Sequence, residues 1–306
     1  MNTVFVLMSH YNGSLYLSNQ VKSILNQKDI AVKLFIRDDG SSDNNAIDLL
    51  RDFEKTSSIT VYYGENMGYG RSFMELVKLV PKDADYYAFS DQDDVWKEDK
   101  LSVALNYLNG HKEPSVYSAL PKYVDKNLRP TNSFYSYTDA LPSGVKSVKH
   151  ALVTHLFGLG CTMVWNKALC ELMAKGDYKN LTCGHDNLVS VLAPLVGTYF
   201  KDDRQVFFYR QHGKNIGADK SKKSLISNIK HAWTNISNPS PYELRKIIYQ
   251  NFANAIPTEH RQMLYYTVDY RKHLSSKIKL LSLHLSSGLP HSVRMKYLLK
   301  VLVNKY

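Results

Sequence analysis

Over the first 110 residues, short apolar runs alternate with segments whose apolar residues recur every three to four positions. Residues 3–8, 32–36, 59–63 and 86–89 have the length and composition of strands. Residues 47–53, residues 72–80 and the stretch carrying Leu17, Val21, Ile24 and Leu25 have helical spacing. Strand and helix in alternation predict a mostly parallel α/β sheet with helices on both faces. Three of the four runs end in polar clusters: Ser9-His10-Tyr11-Asn12, Arg37-Asp38-Asp39-Gly40-Ser41 and Ser90-Asp91-Gln92-Asp93-Asp94. The carboxyl edge of such a sheet is where open α/β folds bind ligands.

Past residue 111 the alternation weakens. Strands are expected at 116–120, 123–124, 157–165 and 206–209, helices at 167–175 and 186–195, and a Ser/Thr/Pro/Tyr-rich loop at 130–148. From 224 onward the pattern becomes helical, with segments near 224–236, 241–255, 258–274, 276–286 and 291–303 separated by Pro or Ser/Gly breaks. The chain therefore divides into a catalytic-size part, 1–217, and a helical C-terminal region, 218–306.

Charge sharpens that division. The net +11 is uneven: residues 1–213 hold 23 Lys+Arg against 24 Asp+Glu, and residues 214–306 hold 16 against 4. A basic tail of this kind fits nucleic acid, an anionic membrane surface or a solvated face. Three cysteines, Cys161, Cys170 and Cys183, have no disulfide or zinc-ligand spacing and fit a reducing compartment. The N-terminus carries no basic n-region or cleavage site, and no stretch reaches the roughly 18 apolar residues of a spanning helix.

The densest carboxylate group, Asp91 to Asp94, follows a strand. On an extended segment Asp91 and Asp93 would face the same way, and hard oxygen donors of that kind suit Mg²⁺ or Mn²⁺ held jointly with phosphates. A solvated acidic turn is the plainer alternative. Asp38-Asp39 stands where nucleotide folds hold base or ribose, and Asp39 there could accept the N3–H of a pyrimidine; it reads equally as a helix-capping turn. The absence of GxGxxG and of GxxxxGK[ST] argues against dinucleotide oxidoreductases and P-loop enzymes.

Together these clusters resemble family 2 glycosyltransferases of the GT-A fold. The resemblance runs from Val4 to about Gly217 and includes Ser23-Ile24-Leu25-Asn26-Gln27, Glu65-Asn66-Met67-Gly68 with Arg71, and Asp91-Gln92-Asp93-Asp94-Val95-Trp96. The last, with Gly160-Cys161-Thr162-Met163 and Tyr209-Arg210-Gln211-His212 downstream, is most similar to the rhamnosyltransferase-like branch that builds bacterial surface polysaccharides. It implies a nucleotide-binding half at 1–110 and an acceptor-binding half at 111–217. It further implies that Ser9, Tyr11, Asp39 and Arg71 hold the donor nucleotide, and that Asp91 and Asp93 form a DXD motif which His212 completes around Mn²⁺ or Mg²⁺. Asp186, in His185-Asp186, takes the place of the catalytic base, where the helix dipole would hold it ionised.

The reaction implied is inverting sugar transfer from a UDP- or dTDP-sugar to a saccharide acceptor, carried on a polyprenyl diphosphate lipid. Residues 157–162 are expected to shape the acceptor cleft, Cys161 to be a small buried residue, and Trp96 and Trp165 to be core or cleft-wall aromatics. The basic helices lie outside the resemblance; they suit an anionic membrane surface at the cytoplasmic face, with a solvated cap or homodimer contact as the alternative. Nucleic-acid binding lacks any RNP, zinc-finger or helix-turn-helix signature, and a nucleotidyltransferase of the same fold lacks its basic Gly-rich loop.

Overall fold

Alternation along β1 (Thr3–His10) sets the architecture. Val4, Val6 and Met8 point to one side of the sheet, Phe5 and Leu7 to the other, and each set belongs to its own buried cluster. The computed structural model describes residues 1–131, 141–212, 241–289 and 291–306. In it β1 pairs in parallel with β2 (Ala31–Asp39) and with β4 (Tyr86–Ser90), and β3 (Ile59–Gly64) extends the sheet beyond β2. The other half is mixed. β8 (Val164–Asn166) runs antiparallel to both β4 and β6 (Ser115–Val124), and β9 (Thr198–Arg210) lies parallel to β6. Short strands β5 (Val95–Trp96) and β7 (Gly144–Val145) pair antiparallel with β9. The order is β3-β2-β1-β4-β8-β6-β9-β5.

Helices cover both faces, as the alternation predicts. On the Val4 side lie α1 (Ser14–Leu25), α2 (Asn44–Phe53) and α4 (Lys100–Leu108), and on the Phe5 side α3 (Tyr69–Leu79), α6 (Lys167–Met173) and α7 (His185–Val196). A helix absent from the sequence reading, α5 (Val148–Thr154), starts at Ser147, whose hydroxyl accepts from the His150 N–H.

The C-terminal helices are α8 (Pro241–Phe252), α9 (Thr258–Asp269), α10 (Leu274–Leu285) and α11 (His291–Leu302). They are not a separate tail. Ile248, Leu264, Leu280, Val301 and Tyr306 belong to the same buried cluster as Phe5 and Leu7, with α8 packed on α7 and α9 on α5. The helix expected near 224–236 and most of the loop expected at 130–148 lie outside the described residues. No helix among the described residues is long and apolar enough to cross a membrane.

Two strand expectations change. Only Val164–Asn166 of 157–165 is strand, because Gly160–Thr162 form a 3₁₀ turn. β9 is far longer than 206–209, its polar stretch being satisfied inside: Asp202 accepts from Tyr117 Oη at 2.7 Å, and Lys201 Nζ donates to the Leu141 carbonyl at 2.8 Å. Polarity hid that strand from the hydrophobic pattern. Pro121 splits the β6 signal in the sequence and coincides with a register shift in the sheet.

Candidate active site

Because β1, β2 and β4 are parallel, their last residues, His10, Asp39 and Ser90, meet at one edge. At that edge His10 Nδ1 lies 3.0 Å from Asp38 Oδ1, while its Nε2 accepts from the Gly13 N–H at 3.3 Å. The proton therefore sits on Nδ1 and is donated to Asp38. Burial pushes Asp38 upward, but bonds from His10 and Ser41 outweigh it and hold the carboxyl below its ordinary range.

The loop after β1 is pinned from two sides. Asn12, at φ 48°, accepts the N–H groups of Ser42 and Asp43 at 2.8 and 2.9 Å. Gln92 reads the Tyr11 backbone with both ends of its amide, accepting from N–H at 2.9 Å and donating to the carbonyl at 3.2 Å. Tyr11 itself remains 49% exposed at the rim. Sequence reasoning missed Asn12 and Gln92 as supports, although both stand inside motifs it singled out.

Asp39 is only 2% exposed, and both its oxygens are engaged. The Met67 and Gly68 N–H groups donate to them at 3.0 and 2.9 Å, and Arg37 Nη1 pairs with Oδ1. Arg37 also donates to Ser72 Oγ at 3.0 Å, which accepts in turn from Ser9 Oγ at 2.7 Å. Ser9 and Asp39 thus share one buried network that holds the 65–68 loop. Arg71 stands on the next turn of α3, its Nε donating to the Met67 carbonyl at 2.7 Å.

Residues 91–94 bend between β4 and β5 instead of running extended, so the bend and not strand alternation sets where Asp91 and Asp93 point. Asp91 gathers with Asp94 and Cys161, one ligand atom of each lying within 4.8 Å of the others. Asp93 turns to His212, its Oδ2 standing 2.7 Å from Nε2. Burial, then repulsion from Asp93, raises Asp91 to about 7, and Asp94 rises well above its ordinary value for the same reasons. Asp94 Oδ1 accepts the Arg210 N–H at 3.1 Å, and its buried Oδ2 has no partner among the described residues.

Arg210 staples β9 to this bend. Its Nε donates to the Asp93 carbonyl at 2.9 Å, and its guanidinium lies 4.3 Å from the Tyr16 ring centre. Behind the carboxylates, buried Lys100 donates to the Cys161 carbonyl at 2.6 Å and lies 3.3 Å from the Trp96 ring centre. Burial lowers it to about 7. Crowded carboxylates with a buried, unpaired oxygen fit a hard divalent ion such as Mn²⁺ or Mg²⁺; the Cys161 thiol, pushed up by burial, stays protonated and does not.

Asp186 opens α7, and Oδ1 accepts the Asn187 N–H at 2.8 Å. The helix terminus does not set its proton affinity alone: burial outweighs the N–H groups of Asn187, Asp186 and Gly160 and lifts it to about 6, which still leaves it mostly ionised at neutral pH. Its neighbour His185 is clamped between Phe73 and Phe89, with ring centres 3.9 and 4.4 Å away, and burial lowers it to about 3. That imidazole stays neutral. Gly160 makes room for it, since a Cβ there would lie 2.0 Å from His185 Nε2. Residues 157–162 are buried, and the Gly160 N–H that bonds Asp186 is how this segment reaches the site. Trp165 is core, stacked near Tyr87 and Phe89.

A family model described as glycosyl transferase family 2 matches residues 5–164, just over half of the chain. The chain belongs to glycosyl transferase family 2. This glycosyltransferase is 29% identical over 249 residues to the dTDP-rhamnosyl transferase RfbG of Shigella flexneri, covering 74% of this chain and 80% of that one. Among solved structures, S. aureus TarS 1–349 in complex with UDP-GlcNAc superposes with a TM-score of 0.59 at 14% identity, covering 98% of this chain and 89% of that one. The mannosyltransferase PcManGT of Pyrobaculum calidifontis, in complex with GDP-Man and Mn²⁺, gives 0.51 at 16% identity, covering 99% and 86%. At such identities the structural likeness establishes the GT-A fold.

Proposed function

We propose that this glycosyltransferase is metal-dependent and inverting, and moves a sugar from a UDP- or dTDP-sugar to a saccharide acceptor during synthesis of a bacterial surface polysaccharide. The observation that carries the reading is the pair of buried acidic centres, held by different elements and close enough for Asp186 to help raise Asp91. One is the crowded group at 91–94, with Asp91 at about 7, and the other is Asp186 at about 6 on α7. Asp91, Asp94 and the Asp93–His212 pair would hold Mn²⁺ or Mg²⁺, which when bound supplies positive charge to the leaving diphosphate. Tyr11, Ser9 and Asp39 frame the pyrimidine nucleotide. Asp186 takes the proton of the acceptor hydroxyl as that oxygen attacks the anomeric carbon, and a single displacement inverts its configuration. The names of the relatives, a dTDP-rhamnosyl transferase and a structure with UDP-GlcNAc, support the two donor classes.

The test is a thermal-shift screen of UDP- and dTDP-sugars with and without Mn²⁺, followed by assignment of the product anomer by NMR. Stabilisation by one donor class only with the ion, and an inverted anomer, are expected. A purine donor, or a retained anomer, would refute the assignment.

The acceptor in this reading is carried on polyprenyl diphosphate at the inner face of the cytoplasmic membrane. Leu274, Ile278 and Leu285 of α10, Met295, Leu299 and Leu302 of α11, and Val303 just after it are exposed. Their spacing places each set on one helix face. Lys277 and Lys279 share α10, and residues 270–306 contain eight Lys+Arg and no Asp or Glu. Apolar residues ringed by cations suit an anionic leaflet. Ile278→Glu with Leu299→Glu should abolish co-sedimentation with phosphatidylglycerol vesicles while the chain elutes unchanged. A dimer that the variant splits into monomers would make this face a homodimer contact instead.

A further inference from the structure

A cleft of about 750 Å³ opens between the N-terminal turn of α3, residues 179–183 and α8. We infer that it is the acceptor subsite and that it takes a phosphate group carried by the acceptor, an inference resting on the glycosyltransferase reading above. Its charged lining is Arg71, Lys179 and Lys246 against Glu243. Lys246 Nζ stands 3.9 Å from Glu243 Oε2 with both side chains about half exposed, so that pair is weak and the cleft keeps its positive sign. The N–H groups of Met67 and Gly68 at the start of α3 are already taken by Asp39, so the positive sign of the cleft rests on the three cationic side chains. A volume of this size accommodates a sugar together with a phosphate or diphosphate.

Position assigns the cleft to the acceptor. Gly70 lies so close to the 183–184 segment that a Cβ on it would be 2.4 Å from the Cys183 carbonyl oxygen, and that segment runs directly into His185 and Asp186. The cleft lining ends at Cys183, three residues before Asp186, and its Tyr69 hydroxyl and the Asp186 carboxylate both flank Gly184, where a Cβ would lie 3.3 and 2.2 Å from them. The donor's diphosphate belongs at the acidic group of 91–94, which contributes no residue to this lining. Lys179 and Lys246 also stand outside residues 5–164, the part that matches the family as a whole. Arg71, held by the Met67 carbonyl, marks the border between the two ligands.

The experiment is calorimetric titration of the full chain, its donor site filled with UDP or dTDP and Mn²⁺, with farnesyl phosphate and with glycerol 3-phosphate; farnesol and glycerol are the uncharged controls. Binding of either phosphate, weakened at least tenfold in Lys179→Glu/Lys246→Glu while nucleotide affinity is retained, is the expected result. Farnesyl phosphate alone identifies a lipid carrier, glycerol 3-phosphate alone or both equally a phosphate group read without its lipid; all three support the subsite. Binding of neither phosphate, equal binding of the controls, or an unchanged affinity in the double variant overturns it. A double variant that loses nucleotide equally makes the cleft part of the donor site, which also overturns it. If no nucleotide binds the parent chain, the functional reading fails, and the same phosphate titrations without nucleotide still decide the subsite.

Discussion

At Asp186 two local forces compete for one proton. The start of α7 favours the carboxylate, and burial favours the acid; burial wins and sets the group at about 6. Such a carboxyl is mostly ionised at neutral pH yet a better proton acceptor than an exposed aspartate, which suits a general base. Below about pH 6 the proposed base is protonated, so kcat, measured with donor and metal ion saturating, should fall about tenfold per unit, and it should level off above that point. Asp186→Asn should lower kcat by about 10²- to 10⁴-fold and leave donor affinity intact, as read by radiolabelled transfer and calorimetry. Transfer at the parent rate would remove Asp186 from the chemistry. The residue type and its place after Gly184-His185 were visible in the sequence. Its proton affinity was not, because the neighbours that desolvate it arrive from segments far along the chain.

The same limit governs whole elements. The four parallel strands could be read directly, since each is a local apolar run, and the edge where their polar ends gather follows from their being parallel. The bend at 91–94 could not, because it depends on Arg210 from β9 and on Gln92 reaching back to Tyr11. Within the motif Gln92 looks like a spacer between aspartates; in the fold its amide replaces a strand partner for an exposed turn. Gln92→Ala removes both bonds and should raise the dissociation constant of the donor nucleotide several-fold, at a stability cost of about 1 kcal/mol. Gln92→Glu keeps the acceptor for the Tyr11 N–H and loses the donor to its carbonyl, so it should fall between the two. Nucleotide affinities equal across all three proteins, measured by calorimetry, would mean that the Tyr11 loop does not support the nucleotide.

At the scale of the whole molecule, the charge asymmetry divides a near-neutral part from a basic helical region, while the buried cluster runs through both. Charge is a surface property and says nothing of what the opposite helix faces bury. Here they bury Arg245, which is fully enclosed and donates to the Leu152 carbonyl and, at 2.6 Å, to Tyr306 Oη, with the Tyr306 ring 4.0 Å from the guanidinium. Its Nε and Nη1 have no partner among the described residues. A buried cation so incompletely satisfied contributes little net stability, yet removing Tyr306 takes away the hydroxyl and ring that solvate it. The two ends of the contact should therefore respond unequally. Arg245→Met keeps volume and removes the desolvation cost, so its urea midpoint should lie near the parent's or above it. Tyr306→Ala strips the guanidinium of hydroxyl and ring and empties a core position, and should cost about 3–5 kcal/mol. Lys246, the next residue along α8, lines the proposed acceptor cleft, so a chain loosened at Tyr306 should also bind phosphate probes less tightly. Equal losses from the two substitutions would mean that Arg245 stabilises the fold in its own right, and the C-terminal helices would then be fastened by charge instead of by packing.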